Sequence, residues 1–155
     1  MAPTRNATPP RSTSDVHTTA AQRLRADGQR YTGSRRALVG LLEAADRPLT
    51  IADLLERDRG LAQSSAYRNL AVLERAGVVN RLVTNDEYGR FELTEDLTEH
   101  HHHLICSSCG QVEDFTAPPA LERSLHKAVG DIESEFGFAA AHHRLDLVGT
   151  CRSCA

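Results

Sequence analysis

No stretch of the 155 residues is apolar for long enough to cross a membrane, which excludes a helical transmembrane protein. The opening residues, MAPTRNATPPRSTSDV, lack the apolar core of a secretory signal. The expected compartment is therefore the cytoplasm, where four cysteines favour metal binding over disulfides. Lysine is nearly absent. Seventeen of the 18 cationic residues are Arg, a side chain suited to bidentate contacts with phosphate and guanine. No internal repeat is present. The His-x-Glu and Pro-Cys-x-x-Cys signature of a zinc deaminase is missing too, and a site closed by four thiolates has no open position for catalysis. An enzyme is not expected.

What is present divides into two halves of opposite charge. Residues 1–90 carry 14 Arg against 10 Asp and Glu, a net +4, whereas residues 91–155 carry 4 cations against 11 acids, a net −7. The acidic half also holds all four cysteines and seven of the eight histidines. Two electrostatic characters point to two tasks, one of them contact with a polyanion.

Residues 1–17, rich in Pro, Thr, Ser and Arg, read as a disordered tail. Helical periodicity begins at Thr18 and stops at Gly28. A second helix, N-capped by Thr32, sets Ala37, Leu38, Leu41 and Leu42 on one face and ends before Pro48. A short third starts at Thr50 with Asp53 three residues on. A fourth, from Ser64 or Ser65 to Gly77, carries Ala66, Leu70, Val72, Leu73 and Ala76 as its apolar stripe. Two β-prone runs, 78–83 and 90–93, then flank the turn TNDEYG. This order is that of a winged helix-turn-helix over residues 18–93. The hydrophilic residues 94–99 read as a hinge. Beyond them, residues 100–155 hold two short strands, an amphipathic helix opened by Pro and closed by Gly137, and a last strand. The expected class is α+β, a winged-helix domain followed by a small α/β domain.

Cys106-x-x-Cys109 and Cys151-x-x-Cys154 are the strongest chemical signal. Two thiolate knuckles complete a tetrahedral all-sulfur site, the arrangement of structural zinc. The 41 residues between the pairs would make that zinc a staple across the whole small domain. The rival reading is a redox-sensing thiol pair. Immediately upstream stand His100, His101, His102 and His103. On a strand, alternate side chains face opposite ways, so His100 and His102 would share one face and His101 and His103 the other. Each face then holds two imidazoles, and Glu92, Asp114, Glu122, His142 and His143 are the candidates to complete two sites. Mixed imidazole and carboxylate ligation suits Zn2+, Fe2+, Ni2+ or Mn2+ in exchangeable form. His17 and His126 stand alone and read as surface residues. Near the start of the fourth helix, Gln63, Ser64, Ser65, Tyr67 and Arg68 have the chemistry and position of base or phosphate contacts, although either serine can also cap and Tyr67 can also pack.

From about residue 22 onward the chain resembles the ferric uptake regulator family. GQRYTGSRRALVGLLE, with Arg30, Thr32 and Arg35, is similar to that family's opening segment. SSAYRNLAVLERAGVV resembles its recognition helix, and HHHHLICSSCG with VGTCRSC resembles its metal-binding region. The resemblance implies a cytoplasmic homodimer that binds a palindromic double-stranded DNA operator through winged helices and represses metal-homeostasis genes when loaded with metal. It implies a structural zinc on the four cysteines and a regulatory site at the hinge on Glu92, His101, His103 and Asp114. It also implies a second site within the dimerisation domain on His100, His102, Glu122 and His143. Arg35 joins Gln63, Ser64, Ser65, Tyr67 and Arg68 as an implied DNA contact. Arg47 departs from the pattern. Iron- and peroxide-sensing members usually have a ligating His there, and a guanidinium cannot ligate. That departure turns the expected regulatory metal toward zinc, as in the zinc uptake regulator branch, with an iron- or manganese-responsive repressor as the alternative.

Overall fold

The computed structural model describes residues 13–84 and 88–155. They form two compact units, one ending at residue 83 and taken up again over 88–99, the other made chiefly of residues 100–155. Residues 85–87, the centre of the expected hairpin turn, and residues 1–12 of the expected tail lie outside the described residues.

The first unit opens with helix α1 (Thr13–Ala26), α2 (Gly33–Glu43), strand β1 (Leu49–Thr50), α3 (Ile51–Arg57) and α4 (Gln63–Arg75). Strands β2 (Val79–Val83) and β3 (Gly89–Leu93) follow. The helices end where the sequence supplies positive-φ glycine: Gly28 at 69° and Gly77 at 72° relieve the chain after α1 and α4. At the start of α3, Thr50 and Asp53 form a reciprocal capping box. Both predicted apolar stripes face inward. Leu38 and Leu42 of α2 and Ala66, Leu70 and Leu73 of α4 are buried together with Leu24, Leu49, Leu54, Phe91 and Leu93.

Two expectations need correction here, and one element was not expected. The chain is helical from Thr13, so residues 13–17 are not tail: Val16 is buried in the core, and His17 Nδ1 lies 2.5 Å from the Tyr31 hydroxyl. His17 is therefore a packed residue rather than a surface one. The expected hinge over 94–99 belongs to the first unit. Leu97, on a single 3₁₀ turn, is buried in its core, and Arg23 ion-pairs with Asp96 while donating to Gly77 O at 2.5 Å. The third difference is β1, which periodicity missed because it has only two residues. It pairs Leu49 with Phe91 and Thr50 with Arg90, giving an antiparallel sheet in the order β1-β3-β2.

The second unit consists of β4 (His102–Cys106), β5 (Val112–Phe115), α5 (Pro119–Phe136) and β6 (Asp146–Gly149). Its sheet runs β5-β4-β6, with β5 antiparallel and β6 parallel to the central β4. Gly137, in the left-handed region at φ 62°, caps α5 where the sequence places it. The apolar core is thin. Val112, Ala117 and Cys106 are buried, whereas α5 buries no residue and Leu121, Ile132, Phe136, Leu147 and Val148 are exposed. No helix among the described residues is long and apolar enough to cross a membrane.

Candidate metal centres and recognition helix

Strand β4 and the two residues before it position three clusters of side chains; His102 and His103 lie on the strand, whereas His100 and His101, expected on it, precede it. At its C-terminal end Cys106 leads into a tight turn in which Gly110 N–H returns to Cys106 O at 2.9 Å, and Gly110 sits at φ 73°. Parallel pairing of Cys106 with Gly149 brings the last residues alongside, and Ser107 N–H donates to Gly149 O at 2.7 Å. As a result the ligand atoms of Cys106, Cys109, Cys151 and Cys154 all lie within 4.8 Å of one another. Cys109 Sγ and Cys151 Sγ are 3.8 Å apart. A tetrahedral zinc with bonds of about 2.3 Å separates its sulfurs by about 3.8 Å, so the donor set fits such an ion. The thiols do not ionise alike. Backbone N–H groups of Cys151, at 3.3 Å, and Cys109 bring Cys106 down to about 6, whereas hydrogen bonds to Cys151 and Cys109 push Cys154 up to about 12.

One face of the histidine run gathers His100, His102, Glu122 and His143, again with ligand atoms within 4.8 Å. The Glu122 carboxylate lies 2.6 Å from His102 Nε2, 3.3 Å from His100 Nε2 and 3.7 Å from His143 Nε2. The three rings stand 4.7 to 5.5 Å apart between centroids. Burial lowers the His100 pKa, with the Glu122 charge opposing. Burial raises that of Glu122, but the His102 hydrogen bond and the imidazole charges outweigh it and leave the carboxyl below its ordinary value. His102 Nδ1 and His143 Nε2 are buried without a hydrogen-bond partner. Three imidazoles gathered around one carboxylate are a donor set that a divalent cation satisfies.

The other face carries His101 and His103, whose Nε2 atoms each lie 3.9 Å from an oxygen of Asp114, the residue paired with His103 across β4 and β5. His103 Nδ1 meets Asp146 Oδ1 at 3.2 Å, and Arg144 Nη2 donates to Asp146 Oδ2 at 2.8 Å. A carboxylate accepting from Nδ1 leaves the Nε2 lone pair of His103 directed at the Asp114 side, the tautomer a metal ligand requires. Sequence reading missed Asp146, because the parallel pairing that sets it beside His103 spans 43 residues. Glu92 lies in the first unit, on β3 opposite Asn80. His142 and His126 are exposed and join none of these clusters.

In the first unit, α4 starts at Gln63 with Ala62 as its N-cap and no side-chain cap. Ser64 and Ser65 therefore lie inside the first turn and do not cap it. Gln63, Ser64, Tyr67 and Arg68 are exposed, and Tyr67 presents half of its surface, so it does not serve the core. Arg35, at the start of α2, reaches α4 through Asn69. Arg47 is engaged by Asp53, Nη2 to Oδ1 at 3.1 Å.

Comparison with known proteins gives a consistent result. The sequence model of the ferric uptake regulator family matches residues 26–148. The peroxide operon regulator of Bacillus subtilis strain 168 is 29% identical over 140 residues, 88% of this chain and 91% of that protein. The ferric uptake regulator of Helicobacter pylori superposes with a TM-score of 0.72 at 22% identity, covering 96% of this chain and 97% of its own, a likeness of fold. That of Vibrio cholerae, whose DNA-binding domains undergo structural rearrangement, superposes at 0.66 with 25% identity, covering 84% and 98%.

Proposed function

The chain belongs to the ferric uptake regulator family, and from that premise we propose that it is a zinc-responsive transcriptional repressor of metal-homeostasis genes. Membership makes it a metal-responsive regulator rather than an enzyme. The proposal adds the metal, the operator and the assignment of residues. Its main support is that an all-sulfur cluster at the end of β4 is separate from two imidazole and carboxylate clusters, one taking His102 and the other His103. Sulfur-only ligation suits a permanent ion, and mixed nitrogen and oxygen ligation an exchangeable one.

Cys106, Cys109, Cys151 and Cys154 are proposed to hold the structural zinc. His101, His103 and Asp114, with Glu92 added from its sequence position, are proposed as the regulatory site. His100, His102, Glu122 and His143 are proposed as the second site. A bound divalent cation supplies the positive charge and coordinate bonds that hold several donors in one arrangement. Glu92 belongs to the first unit, proposed as the winged-helix domain, so joint ligation with the histidines restricts the orientations that domain samples. A swing from 1:99 to 99:1 in favour of the operator-binding form requires about 5.5 kcal/mol, within reach of two or three ligand bonds. The exposed apolar residues of α5 and β6 support a homodimer, in which a second copy covers them. Two winged helices then meet successive turns of a palindromic duplex, roughly 34–36 Å apart, through Arg35, Gln63, Ser64, Ser65, Tyr67 and Arg68.

Zinc is preferred because Arg47, bound to Asp53, cannot ligate and zinc has no redox chemistry to require it. A second reading is favoured by the similarity to a peroxide operon regulator: an iron-loaded repressor released by peroxide. One titration separates them. Operator affinity is measured by gel shift across Zn2+, Fe2+, Mn2+ and Ni2+, with and without peroxide. Tightening by zinc and indifference to peroxide are expected; equal affinity with and without zinc would sink the zinc switch.

A further inference from the structure

Asn69 sits on α4 one turn after Ser65, and its side-chain amide has two committed ends. Arg35 Nε lies 3.1 Å from Asn69 Oδ1, and Asn69 Nδ2 lies 3.2 Å from Ser65 Oγ. The assignment of the amide follows from chemistry. A guanidinium nitrogen only donates, so the atom facing Arg35 must be the oxygen, and the nitrogen must therefore face Ser65. The Ser65 oxygen is thus an acceptor toward Asn69, which leaves its hydroxyl hydrogen for another group. Arg35 is further fixed by Nη1, which donates to Arg30 O at 2.5 Å, and its Nη2 is not used in either bond. Among the described residues neither the Ser65 hydroxyl hydrogen nor Arg35 Nη2 has an acceptor within the chain. Two donors, one of them cationic, are thereby held by a single amide near the starts of α2 and α4.

We propose that Asn69 is a positioning residue of the DNA face, presetting Arg35 and Ser65 as a donor pair for one phosphate of the duplex backbone. This rests on the repressor reading above. A phosphate oxygen is the complementary group, being anionic and acceptor-only, and contacts of this kind fix register without reading sequence. Asn69 itself touches no DNA in this arrangement. Its effect passes through Ser65 and Arg35, which makes the three residues energetically coupled.

The test uses the zinc-loaded full chain and a duplex selected by the wild type from random sequence, with affinities from fluorescence anisotropy. Asn69→Ala is expected to weaken binding about tenfold, by a similar factor on every single-base variant of the duplex. Ser65→Ala is expected to weaken binding as well, Ser65→Thr to retain it, and Ser65→Ala to add less than about twofold in the Asn69→Ala background. Asn69→Asp guards against a folding defect. Its carboxylate still holds Arg35 but turns the Ser65 hydroxyl inward, so Ser65→Ala should then cost nothing. Wild-type affinity in Asn69→Ala, fully additive costs, or a loss confined to one base pair overturns the proposal. If the wild type shows no salt-dependent duplex binding, the repressor reading fails beneath it.

Discussion

Asp53 carries more of the first unit than its exposure suggests. It caps α3 through the Thr50 backbone N–H at 2.8 Å and the Thr50 hydroxyl at 2.9 Å, and it holds Arg47. Burial raises its pKa, but the Thr50 N–H, Arg47 and the Thr50 hydroxyl outweigh that and leave it below the ordinary 3.8. The resulting stability is complete above that value and is lost as pH falls below it toward the depressed folded one. Asp53→Ala is expected to cost about 1 kcal/mol at pH 7, the usual value of a cap, and to flatten the acid limb of stability. Urea unfolding between pH 2 and pH 7 reads both effects, and an unchanged limb would rule Asp53 out as its source. Arg68 faces outward from α4, so Arg68→Ala is expected to abolish operator binding with zinc content and dimerisation intact. Unaltered affinity in a gel shift removes Arg68 from the contact. The Thr50 and Asp53 pair was legible from their three-residue spacing. Asp146 was not, because a partner distant in sequence is defined only once two strands have chosen their register.

Helix α4 shows how one element serves two masters. Its inward positions recur at helical spacing, and Leu70 is fully buried, so Leu70→Ala is expected to cost about 2–5 kcal/mol. Tyr67, three residues earlier, is more than half exposed. Tyr67→Ala is expected to change stability by less than about 0.5 kcal/mol while weakening DNA binding. Equal losses of melting temperature in the two variants would contradict this division of faces. Helices of this kind announce themselves by period, and α2, α3, α4 and α5 could all be read from the sequence. What escaped were the elements decided by tertiary packing. Val16 extends α1 toward the N-terminus because the core receives it, β1 exists only because Phe91 and Arg90 lie opposite, and Leu97 draws a polar segment into the first unit.

The described residues divide into a well-filled unit and one whose helix buries nothing. A small core of that kind does not hold a domain together by apolar burial alone. Structural zinc contributes about 10–16 kcal/mol of apparent binding energy in small domains, so the zinc proposed on the four cysteines would supply much of the order in the second unit. Cys106→Ser is therefore expected to unfold that unit rather than retune it, while residues 13–83 keep their protection. Hydrogen exchange followed by mass spectrometry resolves the two regions. Full protection across residues 100–155 in the variant would show that the thiolate cluster is dispensable. Two units of unlike charge and composition were apparent in the sequence, whereas the second unit's lack of a buried helix face was not, because its amphipathic pattern promised one.

Alternation along β4 hands His102 to one group of ligands and His103 to the other, and nothing in the imidazoles themselves records which is which. The strand's alignment is fixed at its far end, where Cys106 is locked beside Gly149. A slip of one residue would deal each histidine to the opposite hand. If the sites are as proposed, the sulfur cluster is the detent that indexes both nitrogen sites, and a chelator that removes only the sulfur-bound ion should scramble sites with which it shares no donor atom.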